Sequence, residues 1–139
     1  MSPSPESRLL SRALTLFGLV FVVGLPILNR AWPGGWAWQP EQPAYLHMIL
    51  SIYFTLGVFL LLAARNPARH LSLIWFTVWS SLAHAGVMAI HSVTDAGQLG
   101  HLWGDVAGLV ITAAVLAPLA RRVGAEATQG YPASAPRPA

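Results

Sequence analysis

Four long apolar stretches separated by short polar ones set the pattern of this chain. They run over residues 9–28 (LLSRALTLFGLVFVVGLPIL), 45–64 (YLHMILSIYFTLGVFLLLAA), 71–93 (LSLIWFTVWSSLAHAGVMAIHSV) and 102–120 (LWGDVAGLVITAAVLAPLA). Each approaches or exceeds the roughly 20 residues with which a helix crosses a hydrocarbon core. Such a segment must bond its own backbone polar groups, so the spans are expected as helices. The predicted fold is all-α, an integral membrane four-helix bundle. Its parts are a flexible lead over 1–8, a transmembrane domain over 9–122 and a Pro/Ala-rich tail over 123–139 expected to be disordered.

Composition agrees with the pattern. Hydrophobic residues make up 55% of the 139 positions and charged residues only 9%, with a mean hydropathy of +0.55. Cysteine is absent, which excludes disulfides and thiolate metal sites. Every basic residue is arginine, and these are scattered rather than gathered into a patch, so the net charge of +3 is not read as a nucleic-acid footprint. It has a topological meaning instead. Four spans put Arg8, Arg12, Arg65, Arg69, Arg121, Arg122 and Arg137 on one side and Arg30 alone on the other, which carries Glu41, Asp95 and Asp105. By the positive-inside rule both termini are cytoplasmic, in a multi-pass protein of the bacterial inner membrane. Arg8 and Arg12 imitate a signal peptide, but the apolar run is long and no A-x-A-like site follows it, so the first span is expected to stay uncleaved.

Polar residues inside apolar sequence carry the candidate chemistry. The first connection, NRAWPGGWAWQPEQP, holds Trp32, Trp36 and Trp38 and is expected to lie along the periplasmic membrane surface with these rings as interface anchors; a lid or docking surface is the alternative. His84 falls near the middle of the third span, where an ionised side chain costs most, so it should be neutral and either bonded to Ser80, Ser51 or Thr55 or coordinating a cofactor. His91 is two turns further on, too far for both to bind one metal from a single helix. His101 and Asp105 stand one turn apart, near His47, His91 and Asp95 at the outer ends of their spans. A carboxylate that orients an imidazole suits metal binding or proton transfer, making His91, His101 and Asp105 the candidate metal site. The plain alternative makes Asp95 a turn former and Asp105 a first-turn acid favoured by the helix dipole.

Gly100, Gly104, Gly108 and Thr112 recur every four residues, a spacing that lines small side chains along one helix face. Ser80, Ser81, Ala83, Ala85, Gly86 and Ala89 offer a matching surface on the third span, so a close pairing of the third and fourth helices is expected. No phosphate-binding loop, nucleophile elbow or H-E-x-x-H motif occurs, and no catalytic residue is assigned.

The run from Tyr45 to Ile90 followed by GHLWGD resembles a family of small four-helix bacterial membrane proteins of unknown function, with GHLWGD after FTVWSSLAHAGVM as its most specific part. The resemblance covers about Trp32 to Pro118. It implies the bundle and no reaction. Proline often follows Gly-Asp in that family, whereas Val106 and Ala107 stand here.

Three functions are expected, in order. The first is a non-catalytic accessory subunit that packs against other membrane protein subunits of a larger photosynthetic or respiratory assembly. The second is a small redox protein binding haem, bacteriochlorophyll or a metal through His84, His91 and His101. The third is a bundle that binds a lipid or quinone around Tyr53, Trp79 and Met88.

Overall fold

The computed structural model describes residues 4–38 and 43–129, and among them no strand occurs. Four helical stretches are long and apolar enough to cross a membrane. The first is composite: α1 (Pro5–Leu19), one π-helical turn over Val20–Gly24, then α2 (Leu25–Ala31). Pro26 has no N–H for the Val22 carbonyl, and its ring displaces that carbonyl. A wider turn just before it absorbs the misfit. A short α3 (Pro33–Trp36) follows, then α4 (Pro43–Ala63), α5 (Leu71–Thr94) and α6 (Asp105–Gln129). Two 3-10 segments make the remaining links, Pro67–His70 before α5 and Ala96–Leu102 before α6.

The ends of the helices differ from expectation in two places. The start of the chain's first helix belongs to the fold rather than to a flexible lead. Ser4 caps it by accepting from the Ser7 N–H at 3.1 Å, and Pro5 stands at the first helical position. At the other end α6 runs on to Gln129, through a stretch expected as disordered tail, because Val123 is buried (2% exposed). Glu6 accepts from Arg122 at 3.1 Å and Ser4 donates to Glu126 at 2.6 Å, tying the two ends together. The rest of the expected tail, residues 130–139, and Glu41 lie outside the described residues.

Packing divides the bundle into two halves. The half near the N-terminus is solid, filled by Leu10, Leu14, Phe17, Leu60, Ile74, Val78 and Leu116. Ser11 closes it by donating to the Ala64 carbonyl at 2.6 Å. Helices α1 and α4 cross at Gly18 and Gly57, where an added Cβ on Gly57 would come within 2.9 Å of the Gly18 carbonyl oxygen. The other half has only a small core of Ala85, Val106 and Leu109. There α5 packs along α6 and α1 with its π turn along α4, while α4 and α5 barely meet. That half is hollow.

The expected pairing of the third and fourth helices is present, but the glycine row does not make it. Gly100 sits in the 3-10 segment and Gly104 just before α6, and both press on the first connection: a Cβ on Gly100 would strike the Gly34 carbonyl oxygen and one on Gly104 that of Gly35. Only Gly108 and Thr112 lie on α6. Gly108 faces the ring of Trp36, and Thr112 donates to the Gly108 carbonyl at 2.8 Å. On α5, Gly86 faces open space.

Candidate functional site

The hollow half holds a partly open cavity of about 1140 Å³, lined by α1 to α6 and mostly apolar. Its roof is the segment from Trp36 to Trp38. Asn29 at the end of α2 donates to the Trp36 carbonyl at 2.7 Å and so fixes the short helix α3 in place. Gly100 and Gly104, with no side chains, let the backbone of Gly34 and Gly35 settle onto them. The indoles of the roof then turn inward.

Trp38 completes a polar cluster at the roof. Its ring stacks on His101 with centroids 4.1 Å apart and planes 24° apart, and its Nε1–H donates to Asp105 Oδ2 at 3.2 Å. The same oxygen bonds His101 Nδ1 at 2.8 Å, and Oδ1 accepts from the Val106 N–H, also at 2.8 Å. With the carboxylate accepting, the imidazole proton resides on Nδ1. Nε2 is buried and has no partner among the described residues. Asp105 is therefore more than a first-turn acid: it receives three donors and locks the roof to α6.

Deeper in the cavity Tyr53 of α4 and His84 of α5 face each other edge to face, with centroids 5.8 Å apart and planes at 71°. Both side chains are half-buried and line the cavity, and no hydrogen bond joins either to another described residue. The hydroxyls expected to bond His84 are spent on their own helices. Ser51 donates to Met48, Thr55 to Ser51 and Ser80 to Thr77, each at a backbone carbonyl. Such back-bonding is the ordinary fate of a hydroxyl in a helix.

A family model described as a family of unknown function, DUF6632, matches residues 4–135. The chain belongs to the DUF6632 family. The match includes α1 and the end of α6, both outside the resemblance read from the sequence. No curated protein and no solved structure matches this chain.

In this DUF6632 member the residues singled out from sequence separate into groups. His91 lies edge-on to Trp38 with centroids 6.2 Å apart and lines the cavity. The indole of Trp38 thus contacts both His91 and His101, and among the described residues no three His, Asp or Glu side chains gather as a metal site. Asp95 forms the turn, its Oδ1 accepting from the Gly97 N–H at 2.9 Å, and His47 is exposed on α4. Of the three tryptophans expected as anchors only Trp32 is exposed; Trp36 lines the cavity and Trp38 the roof. Of the three residues expected around a lipid or quinone, Tyr53 and Met88 line the cavity, whereas Trp79 is 64% exposed on the outer face of α5. Trp38 as a partner of Asp105, and the Gly18–Gly57 crossing, were missed from sequence. Two glycines each placed mid-span were the available signal for the crossing.

Proposed function

We propose that this chain is a multi-pass membrane protein that takes a bilayer-soluble molecule, a lipid or a quinone, into the hollow half of its bundle. The observation that carries the reading is the cavity of about 1140 Å³, mostly apolar with a few polar groups along it. Ligand sites have this form, and helix bundles are a common place for them. The weak contact between α4 and α5 supports a side entrance from the bilayer. A molecule with an apolar tail reaches the cavity there without leaving the hydrocarbon.

The arginine distribution supports an orientation with both termini in the cytoplasm and the roof of Trp36 and Trp38 on the periplasmic side of a bacterial inner membrane. The test of the reading is to purify the protein from its own membrane in mild detergent, extract it and identify what it carries. A molecule in near-stoichiometric amount supports the reading.

An accessory subunit of a larger membrane assembly is a second reading. It is favoured by the outward face of α5, where Trp75 and Trp79 stack with centroids 6.5 Å apart beside exposed Phe76. Aromatic side chains are enriched at protein–protein interfaces. Co-migration with larger subunits, lost on Trp79→Ala, is its test.

A further inference from the structure

We propose that the headgroup of the bound molecule is a neutral carbonyl-bearing ring of the quinone class, held between Tyr53 and His84. This rests on the reading of the cavity as a ligand site and specifies its occupant.

The position of the pair carries the argument. Tyr53 is the middle residue of α4 (Pro43–Ala63), and His84 lies just past the middle of α5 (Leu71–Thr94). Each is thus about 15 Å from the nearer end of its helix at 1.5 Å per residue. At that depth a polar group without a partner is costly, and water is not at hand to bond it. Yet the Tyr53 hydroxyl and the His84 ring nitrogens have no hydrogen-bond partner among the described residues, and both side chains line the cavity. The hydroxyls of Ser51, Thr55 and Ser80 are each bonded to their own helix. Each of the two groups can donate a hydrogen bond and has no partner for it, and different helices bring them to one cavity.

Charge selects the acceptor. Among the described residues that line the cavity, the one arginine is Arg30, an exposed residue at the end of α2, and the one carboxylate is Asp105. A phosphate seated between Tyr53 and His84 would meet no arginine at its own depth, and Asp105 lines the same cavity. The phosphate would bear the full cost of a buried charge. A ring carbonyl carries no charge and accepts from a phenol O–H or an imidazole N–H. Met88, one turn from His84, supplies a polarizable side chain against which a flat ring packs. An apolar tail then lies along Leu16, Val20 and Ile49, which line the same cavity.

The experiment uses the full chain in lipid nanodiscs. Binding of decyl-benzoquinone is measured by equilibrium dialysis beside decylbenzene, which has the tail and ring without carbonyls, and against a competing lysophospholipid. Wild type is expected to bind the quinone about tenfold tighter than the hydrocarbon. Tyr53→Phe, which keeps the ring and removes one donor, should weaken the quinone about fivefold and leave decylbenzene unchanged, the size of one neutral hydrogen bond. Equal binding of quinone and hydrocarbon by wild type overturns the headgroup assignment and leaves the cavity reading standing. Displacement of the quinone by lysophospholipid overturns it in favour of a charged headgroup. A Soret band in protein from its own membrane, lost on His84→Ala, overturns it in favour of haem. Binding of none of these molecules removes the cavity reading itself and this inference with it. The wild-type comparison needs no variant to fold.

Discussion

The indole of Trp38 lies flat on the imidazole of His101 and bonds the same Asp105 oxygen that His101 bonds. One carboxylate on α6 therefore pins a residue of the first connection and a residue of the 3-10 segment at once. The roof of the cavity is held by three side chains, two of them one turn apart and the third, Trp38, 67 positions from Asp105.

Replacing Asp105 by Asn keeps the shape and removes the charge that both donors meet. The expected cost is about 2 kcal/mol, since hydrogen bonds to charged groups are the stronger kind and their donors stay buried. Trp38→Phe retains an aromatic ring to stack and loses one bond, so it should cost about 1 kcal/mol. Thermal unfolding in a single detergent measures both. An Asn variant as stable as wild type would show that the cluster does not fasten the roof.

Gly86, Gly100 and Gly104 should respond unequally to alanine. At Gly100 and Gly104 a Cβ runs into the carbonyl oxygens of Gly34 and Gly35, and backbone cannot swing aside as a side chain can. Each substitution should cost about 1–3 kcal/mol, the usual range for overpacking. Gly86→Ala on α5 meets open space and should stabilise the protein by about 0.5–1 kcal/mol, the helical advantage of alanine over glycine. Matching losses at all three positions in thermal unfolding would contradict this division.

These glycines also mark what the sequence made legible. Apolar runs of membrane-spanning length located the four spans, because a helix is the local answer of any such segment to a solvent without hydrogen bonds. The His101–Asp105 pair was legible for the same local reason, being one turn apart. What Gly100 and Gly104 touch was not legible. Their spacing fits a helix neighbour and a loop equally well, and the outcome depends on where residues some 65 positions earlier fold back. The inward turn of Trp38 has the same origin: its interface preference is real, but an indole N–H has a carboxylate within reach once the loop has settled on the glycines. His84 was misjudged toward Ser51, Thr55 and Ser80 because periodicity gives a residue's face and not whether a hydroxyl is already bonded to its own backbone.

The continuation of α6 beyond Arg122 is expected to contribute through burial rather than charge. Val123→Ala removes two buried methyl-sized groups and should cost about 1.5 kcal/mol. Arg122→Gln breaks a pair in which the arginine is 63% exposed and should change stability by less than about 0.5 kcal/mol. Unfolding of the two variants side by side decides the order, and a larger loss for Arg122→Gln would reverse the account.

The orientation proposed from the arginines is open to direct labelling because the chain has no cysteine of its own. In intact cells a membrane-impermeant maleimide should label Trp103→Cys, whose position is 80% exposed at the roof end, and spare Arg69→Cys at the other end. The opposite pattern would invert the topology.

The central claim is that the hollow half of the bundle holds a molecule from the bilayer, and the most direct measurement is the mass of the intact protein released from its native membrane in mild detergent. The account predicts a bound species of a few hundred daltons or more on wild type. It should be lost from Met88→Trp, which fills the cavity from α5, while that variant remains folded by circular dichroism. Wild type that flies as the bare chain, and takes up neither quinone nor lipid when these are supplied, would contradict it.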